Sequence, residues 1–169
     1  MRFYLYLYIL GFSFFSCKSQ KLNVDYGLVA DFLSSKEICI GEKDCLELKN
    51  KNVFITPYLD SLSESFNFRS PYAYGEFTKL YDDYISISLQ IDSLSGKELE
   101  ENFYKRLKFK TTNDINQSDI SLSITPFFKS NGEKYCIVRI KETKYVQWFI
   151  KLKEKGGEII AYEIVQVLD

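Results

Sequence analysis

Between Ile120 and Leu168 apolar and polar residues alternate in four segments, and this two-residue period commits the chain to a half-buried sheet. Ile120, Leu122 and Ile124 alternate with Ser121, Ser123 and Thr125. A turn signal follows at Ser130-Asn131-Gly132-Glu133, then an apolar run from Tyr135 to Lys141 and a second turn near Glu142-Thr143. A strand from Tyr145 to Leu152, a turn at Lys155-Gly156-Gly157 and a strand from Glu158 to Leu168 complete the series. Connections this short join antiparallel neighbours, so the segments predict a four-stranded meander. Val146, Trp148, Ile150 and Leu152 share one face; Ile160, Tyr162, Ile164 and Leu168 share a face of the next strand. Together they offer a surface on which helices can pack. Cys136 falls in the apolar phase of its strand and reads as a small core hydrophobe.

The upstream chain supplies the helices. Leu22, Tyr26, Val29, Phe32 and Leu33 recur at helical spacing, with Asp25, Asp31, Ser34 and Ser35 on the opposite face. Thr56-Pro57 predicts the N-cap and first residue of a short helix running through Tyr58, Leu59, Leu62 and Phe66. Ser95-Gly96-Lys97-Glu98 fits a capping box, which gives Glu98 a structural role, and Leu99, Phe103 and Leu107 continue that helix. Strand-like runs occupy Glu37 to Ile40, Cys45 to Leu48 and Val53 to Thr56, the first two separated by a turn from Gly41 to Asp44. From Tyr84 to Ile91, Ser86, Ser88 and Gln90 alternate with Ile85, Ile87, Leu89 and Ile91, which predicts one more strand. Lys110 to Ser118 reads as a polar loop. The expected fold class is α+β, with N-terminal helices packed on a curved antiparallel sheet that ends in the meander.

The N-terminus carries a different kind of signal. Arg2 is followed by an apolar run from Phe3 to Phe15 that stops at Ser16-Cys17. The run falls short of the roughly 20 residues that cross a bilayer as a helix but suits the apolar region of an export signal. Its end resembles the signal of bacterial lipoproteins, in which a diacylglycerol is attached to a cysteine thiol before cleavage just ahead of it. That resemblance implies a signal peptide over residues 1–16, lipidation at Cys17 and a tether over residues 17–22, which leaves residues 23–169 for the single α+β domain that the patterning predicts. The 153 residues left after cleavage suit one domain. Acyl chains such as palmitate contribute about 0.8 kcal/mol per buried methylene, so Cys17 alone would hold the domain on a membrane of the cell envelope, at its periplasmic or outer-membrane face. Export also permits disulfides. Cys39 and Cys45 flank the turn of a predicted hairpin, where cross-strand neighbours come near bridging distance. Sequence alone leaves open whether they are bridged or reduced.

Charge and composition narrow the function. The chain has 22 basic and 23 acidic residues, and the charges interleave, as in Lys151-Leu152-Lys153-Glu154-Lys155, in the manner of a solvated surface. No basic stripe exists to hold nucleic acid. Histidine is absent, which removes serine–histidine and cysteine–histidine catalysis and histidine-ligated zinc. No phosphate-cradling glycine loop and no nucleophile elbow follows a strand. Paired carboxylates of the glycosidase kind have candidates in Asp60 with Glu64 and in Asp82-Asp83, which read first as a solvated helix face and a turn. Asp114 to Asp119 opens like a calcium loop but lacks glycine at the sixth place and glutamate at the twelfth, where Asp119 and Thr125 stand. It reads as a polar linker, and no metal or cofactor is expected. Aromatics are abundant; Tyr72, Tyr74, Tyr81 and Tyr84 cluster where rings could anchor a partner or simply pack.

Three segments of the C-terminal third, Ile120 to Phe128, Tyr135 to Val138 and Trp148 to Lys153, the last followed by a Gly-Gly turn, resemble those of small uncharacterised lipoproteins of the Bacteroidota type. The resemblance implies a curved sheet similar to NTF2-like or cystatin-like folds. The expected function is a non-catalytic binding or accessory module on the envelope, with a protein or small ligand as its partner. A carboxylate-dependent glycan hydrolase and a protective, immunity-like lipoprotein are the competing expectations.

Overall fold

Buried side chains on alternate residues of the C-terminal strands divide the molecule into two apolar layers, one on each face of a mixed sheet. The computed structural model describes residues 26–35, 37–42, 44–61 and 84–168. In chain order the elements are α1 (Tyr26–Ser35), β1 (Ile38–Ile40), β2 (Asp44–Leu46), β3 (Val53–Ile55), α2 (Tyr84–Asp92), α3 (Glu101–Arg106), β4 (Thr111–Thr112), β5 (Ile120–Ile124), β6 (Phe128–Ser130), β7 (Glu133–Lys141), β8 (Val146–Lys155) and β9 (Glu158–Leu168). The fold is α+β. β1 and β2 form a separate hairpin, and the main sheet has the order β4-β3-β5-β7-β8-β9, with β6 also paired to β7.

The meander read from the sequence is present as β5, β7, β8 and β9, each antiparallel to the next. The β6–β7 and β8–β9 turns are tight because the chain supplies residues that accept positive φ: Asn131 (51°) with Gly132 (78°), and Gly156 (62°) with Gly157 (84°). β6 is an added strand. Pro126 has no N–H to give a ladder, and Thr125 fills the break: its N–H donates to Ile137 O at 2.9 Å and its hydroxyl accepts the Ile137 N–H at 2.9 Å. The sheet is not wholly antiparallel, since β3 runs parallel to both β4 and β5.

The main core lies on the face formed by Leu122, Ile124, Val138, Ile140, Trp148, Ile150 and Leu152, against Val29, Ala30, Phe32 and Leu33 of α1 and Phe103 of α3. The Trp148 Nε1–H donates to Glu142 at 2.9 Å, so the ring is buried without stranding its polar atom. α1 runs along the sheet: Tyr26 meets Phe127 edge-on at 5.2 Å near one end, and the Ser34 hydroxyl accepts the Lys108 N–H toward the other. The second layer holds Phe128, Tyr135, Ile137 and Phe149 under Ile87 and Ile91.

The fold departs from the sequence pattern in several places. Tyr84 to Ile91 is helix α2, not a strand: Ile87 and Ile91, four residues apart, are 1% and 0% exposed, while Leu89 between them is 67% exposed. No helix opens at Thr56-Pro57 among the described residues. The Thr56 and Asp60 N–H groups donate to Leu122 O and Ile124 O, and Pro57 to Leu59 pairs with Lys97 to Leu99, so this backbone belongs to the sheet margin. Leu62 and Phe66 lie outside the described residues. The capping box does not form either. α3 starts at Glu101 with Glu100 making no side-chain cap, Glu98 bridges to Tyr58, and the Ser95 hydroxyl donates to Asp92 O beyond α2. The loop from Lys110 to Ser118 includes the two-residue β4.

β9 also departs from the simple alternation. The β8 partners Lys151 and Leu152 are consecutive, whereas theirs on β9 are Glu163 and Ala161, so β9 carries one extra residue. The bulge reverses the face presented on either side of it. Ile159 is thereby buried in the main core, and Ile160 no longer shares a face with Ile164.

Candidate functional site

Strand β3 separates from β5 beyond Ile55, and the departure opens a cleft. Thr56 still bonds Leu122 O at 2.9 Å and Asp60 bonds Ile124 O at 2.8 Å, so Pro57, Tyr58 and Leu59 swing out between these anchors. Leu59 and Leu99 N–H groups donate across to Lys97 O and Pro57 O, both at 2.8 Å, which fixes the outward loop. Tyr58 is left 54% exposed. With Thr56, Leu59, Asp60, Ser61, Ser95 and Gly96 it lines an open cleft of about 440 Å³.

Among the described residues, Asp60 is the one acid singled out from sequence that falls in this cleft. Its carboxylate accepts the Ser123 hydroxyl at 2.8 Å and lies 3.7 Å from the Arg139 guanidinium. Ser123 and Arg139 are direct partners in the β5–β7 register, so the sheet itself sets the two donors side by side. A carboxylate held this way serves as a positioned acceptor. Asp60 is the sole carboxylate among the described lining residues, and acid catalysis across a glycosidic bond needs two. Glu64, Asp82 and Asp83 lie outside the described residues, as do Tyr72, Tyr74, Tyr81 and the Tyr84 side chain.

The sequence pattern missed a buried cation. Lys151 was expected on a solvated surface, yet it is 6% exposed, with its ammonium 4.5 Å above the Tyr135 ring. Desolvation holds its pKa below the usual lysine range, an effect the Glu163 carboxylate opposes. In the register Ile137, Lys151 and Glu163 form one row, so the lysine is enclosed by β7 and β9 on a face already apolar. The available signal was its place between Ile150 and Leu152 in a central strand. Next to it, Glu133 accepts Lys153 Nζ at 2.5 Å and the Tyr135 hydroxyl at 2.6 Å, and these bonds lower its carboxyl pKa.

The described cysteines occupy two environments. Cys17 lies outside the described residues. Cys39 and Cys45 are direct cross-strand partners in the β1–β2 hairpin, with Cα atoms 4.0 Å apart, and are joined by a disulfide. Their neighbours Ile38 and Leu46 are 1% and 2% exposed and anchor the hairpin in the main core. One oxygen of Glu37 and the two sulfurs lie within 4.8 Å of one another. Cys136 is a free thiol, wholly buried, and desolvation pushes its pKa well above the thiol range.

Two further clefts are open and polar-rimmed. One, of about 270 Å³, lies between the end of α1 and the β2–β3 connection, with Leu33, Leu46 and Phe109 beneath and Lys49 and Lys108 at the margin. The other lies between the 113–119 loop and the 142–145 turn. In that loop the Asp114 carboxylate accepts the Asn116 N–H at 2.8 Å, so it shapes the turn.

No family model matches the chain, and no curated protein or solved structure is significantly similar to it.

Proposed function

We propose that this chain is an exported, lipid-anchored protein of the cell envelope, held on a membrane through acyl chains on Cys17, whose α+β domain acts as a non-catalytic binding or accessory module. The observation that carries the reading is the apolar run from Phe3 to Phe15 ending at Ser16-Cys17, with polar residues immediately after it. The Cys39–Cys45 disulfide supports it, because such bridges persist where thiols are not kept reduced. The open clefts favour a macromolecular partner over an enclosed small molecule, for which pockets typically bury most of the ligand.

The test is the mature N-terminus. Expressed in a bacterial host that processes lipoproteins, the chain should incorporate labelled palmitate, lose residues 1–16 and fractionate with membranes. Cys17→Ser should abolish the label and the cleavage. Mass spectrometry finding an unacylated mature chain, or one that still begins at Met1, refutes the anchor. A glycan-hydrolase reading has one observation in its favour, Asp60 beside the exposed Tyr58. It requires that Asp60→Asn abolish a measurable hydrolysis of envelope glycan.

A further inference from the structure

We infer that the β1–β2 hairpin is a redox-gated site for a soft divalent cation, with zinc as its type, ligated by Glu37, Cys39 and Cys45. Glu37 precedes Cys39 by two residues, so both side chains leave the same side of the extended chain, and Cys45 stands directly opposite Cys39. The two sulfurs are bonded to each other, and one oxygen of Glu37 lies within 4.8 Å of both. Tetrahedral zinc, with bonds of about 2.3 Å to sulfur and about 2.1 Å to oxygen, needs donors roughly 3.5 Å apart. Once the S–S bond is broken, rotation about the side-chain bonds of Cys39 and Cys45, whose Cα atoms stand 4.0 Å apart, can part the sulfurs to that spacing while the Glu37 carboxylate closes on them. Glu37 and Cys45 are exposed and Cys39 is half-buried, which leaves an open path for the ion and a place for water as fourth ligand.

The disulfide and the metal are mutually exclusive. Thiolate is the ligand, and a bridged sulfur carries no negative charge to offer a cation. Two equivalents of a small thiol open the gate: the protein S–S bond breaks, the small thiols leave as their own disulfide, and Cys39 and Cys45 become thiols. The cation then displaces both thiol protons to solvent and forms two metal–sulfur bonds and one metal–oxygen bond. Reduction does not release the strands, because Ile38 and Leu46 hold the hairpin independently of the bridge. Cys136 cannot compete for the ion from the core. The inference stands apart from the lipid anchor.

The full chain carrying Cys17→Ser, so that no other accessible thiol remains, is reduced with a phosphine and titrated with cobalt(II). The expected result is a thiolate-to-cobalt charge-transfer band that saturates at one ion per chain and is displaced by zinc. The oxidised chain should give no band. Cys39→Ser and Cys45→Ser should each abolish tight binding, and Glu37→Gln should weaken it by at least about tenfold, as losses around a metal commonly do. Absence of saturable binding by the reduced chain overturns the site. So does undiminished affinity in Glu37→Gln, which would leave only a generic dithiol. Should a cysteine variant fail to fold, the comparison of oxidised with reduced chain and the Glu37→Gln titration decide the question.

Discussion

Helix α2 makes a sharp quantitative prediction, because a strand and a helix assign different burdens to neighbouring apolar residues. In a strand Ile87, Leu89 and Ile91 would share one face. In the helix Ile87 and Ile91 are buried against Phe128, Ile137 and Phe149, while Leu89 is 67% exposed. Ile91→Ala removes three buried carbons, about 2.4 kcal/mol at roughly 0.8 kcal/mol each. The unfilled space adds to this, and the total expected is about 3 kcal/mol. Leu89→Ala should change stability by less than about 0.5 kcal/mol, since alanine is also the better helix former. Urea unfolding followed by circular dichroism resolves the difference. With a slope of about 2 kcal/mol/M, Ile91→Ala should lower the midpoint by roughly 1.5 M while Leu89→Ala leaves it nearly unmoved. Equal losses from the two substitutions would refute the helical placement and the packing drawn from it.

Replacing both Cys39 and Cys45 by alanine should cost about 2 kcal/mol in the chain-entropy model, given their separation of six residues, and an unchanged thermal midpoint would show the bridge to be idle. Cys136 sets an alkaline limit. Its thiol stays protonated in the fold but ionises near pH 9.0 when unfolded, so its contribution is complete below that pH and declines above it. The decline approaches about 1.4 kcal/mol per pH unit, and Cys136→Ala should flatten the stability–pH curve above pH 9, although Lys151, with its lowered pKa, tilts the curve the other way up to pH 10.5. Identical slopes in wild type and variant would contradict this. Ser123→Ala removes the hydroxyl that donates to the largely buried Asp60 and should cost about 1 kcal/mol, measured by the same urea titration. No loss would mean that the carboxylate is held without the Ser123 hydroxyl.

The meander was legible because local signals agreed. Asn131-Gly132 and Gly156-Gly157 demand tight turns, and Trp148, Ile150 and Leu152 keep their period in a central strand. α2 was illegible for the opposite reason. Ile87 and Ile91 satisfy both a period of two and a helical spacing, and the serines between them suit either. What decides is tertiary: Gln90 donates to Lys129 O at 3.2 Å and accepts the Lys129 N–H at 2.9 Å, pinning the helix beside β6. Thr56-Pro57 failed as a helix start because Leu122 and Ile124 carbonyls, more than sixty residues away, claim the local N–H groups. The extra residue in β9 left no compositional mark. Of the cleft, only Asp60 stood out in the sequence as a candidate for chemistry; Tyr58 lines it through its pairing with Glu98, and Arg139 reaches Asp60 through its place opposite Ser123, pairings no local pattern encodes.

The parallel pairing of Val53, Phe54 and Ile55 with Ile120, Ser121 and Leu122 has a consequence for the order of events in folding. The earlier strand is synthesised long before its neighbour exists, and antiparallel β7 must then close the far side of that neighbour. Non-local closure of this kind delays productive collapse until nearly all of the polypeptide is available. Late closure would suit the export proposed for this chain, since the strands would still be apart while it crossed.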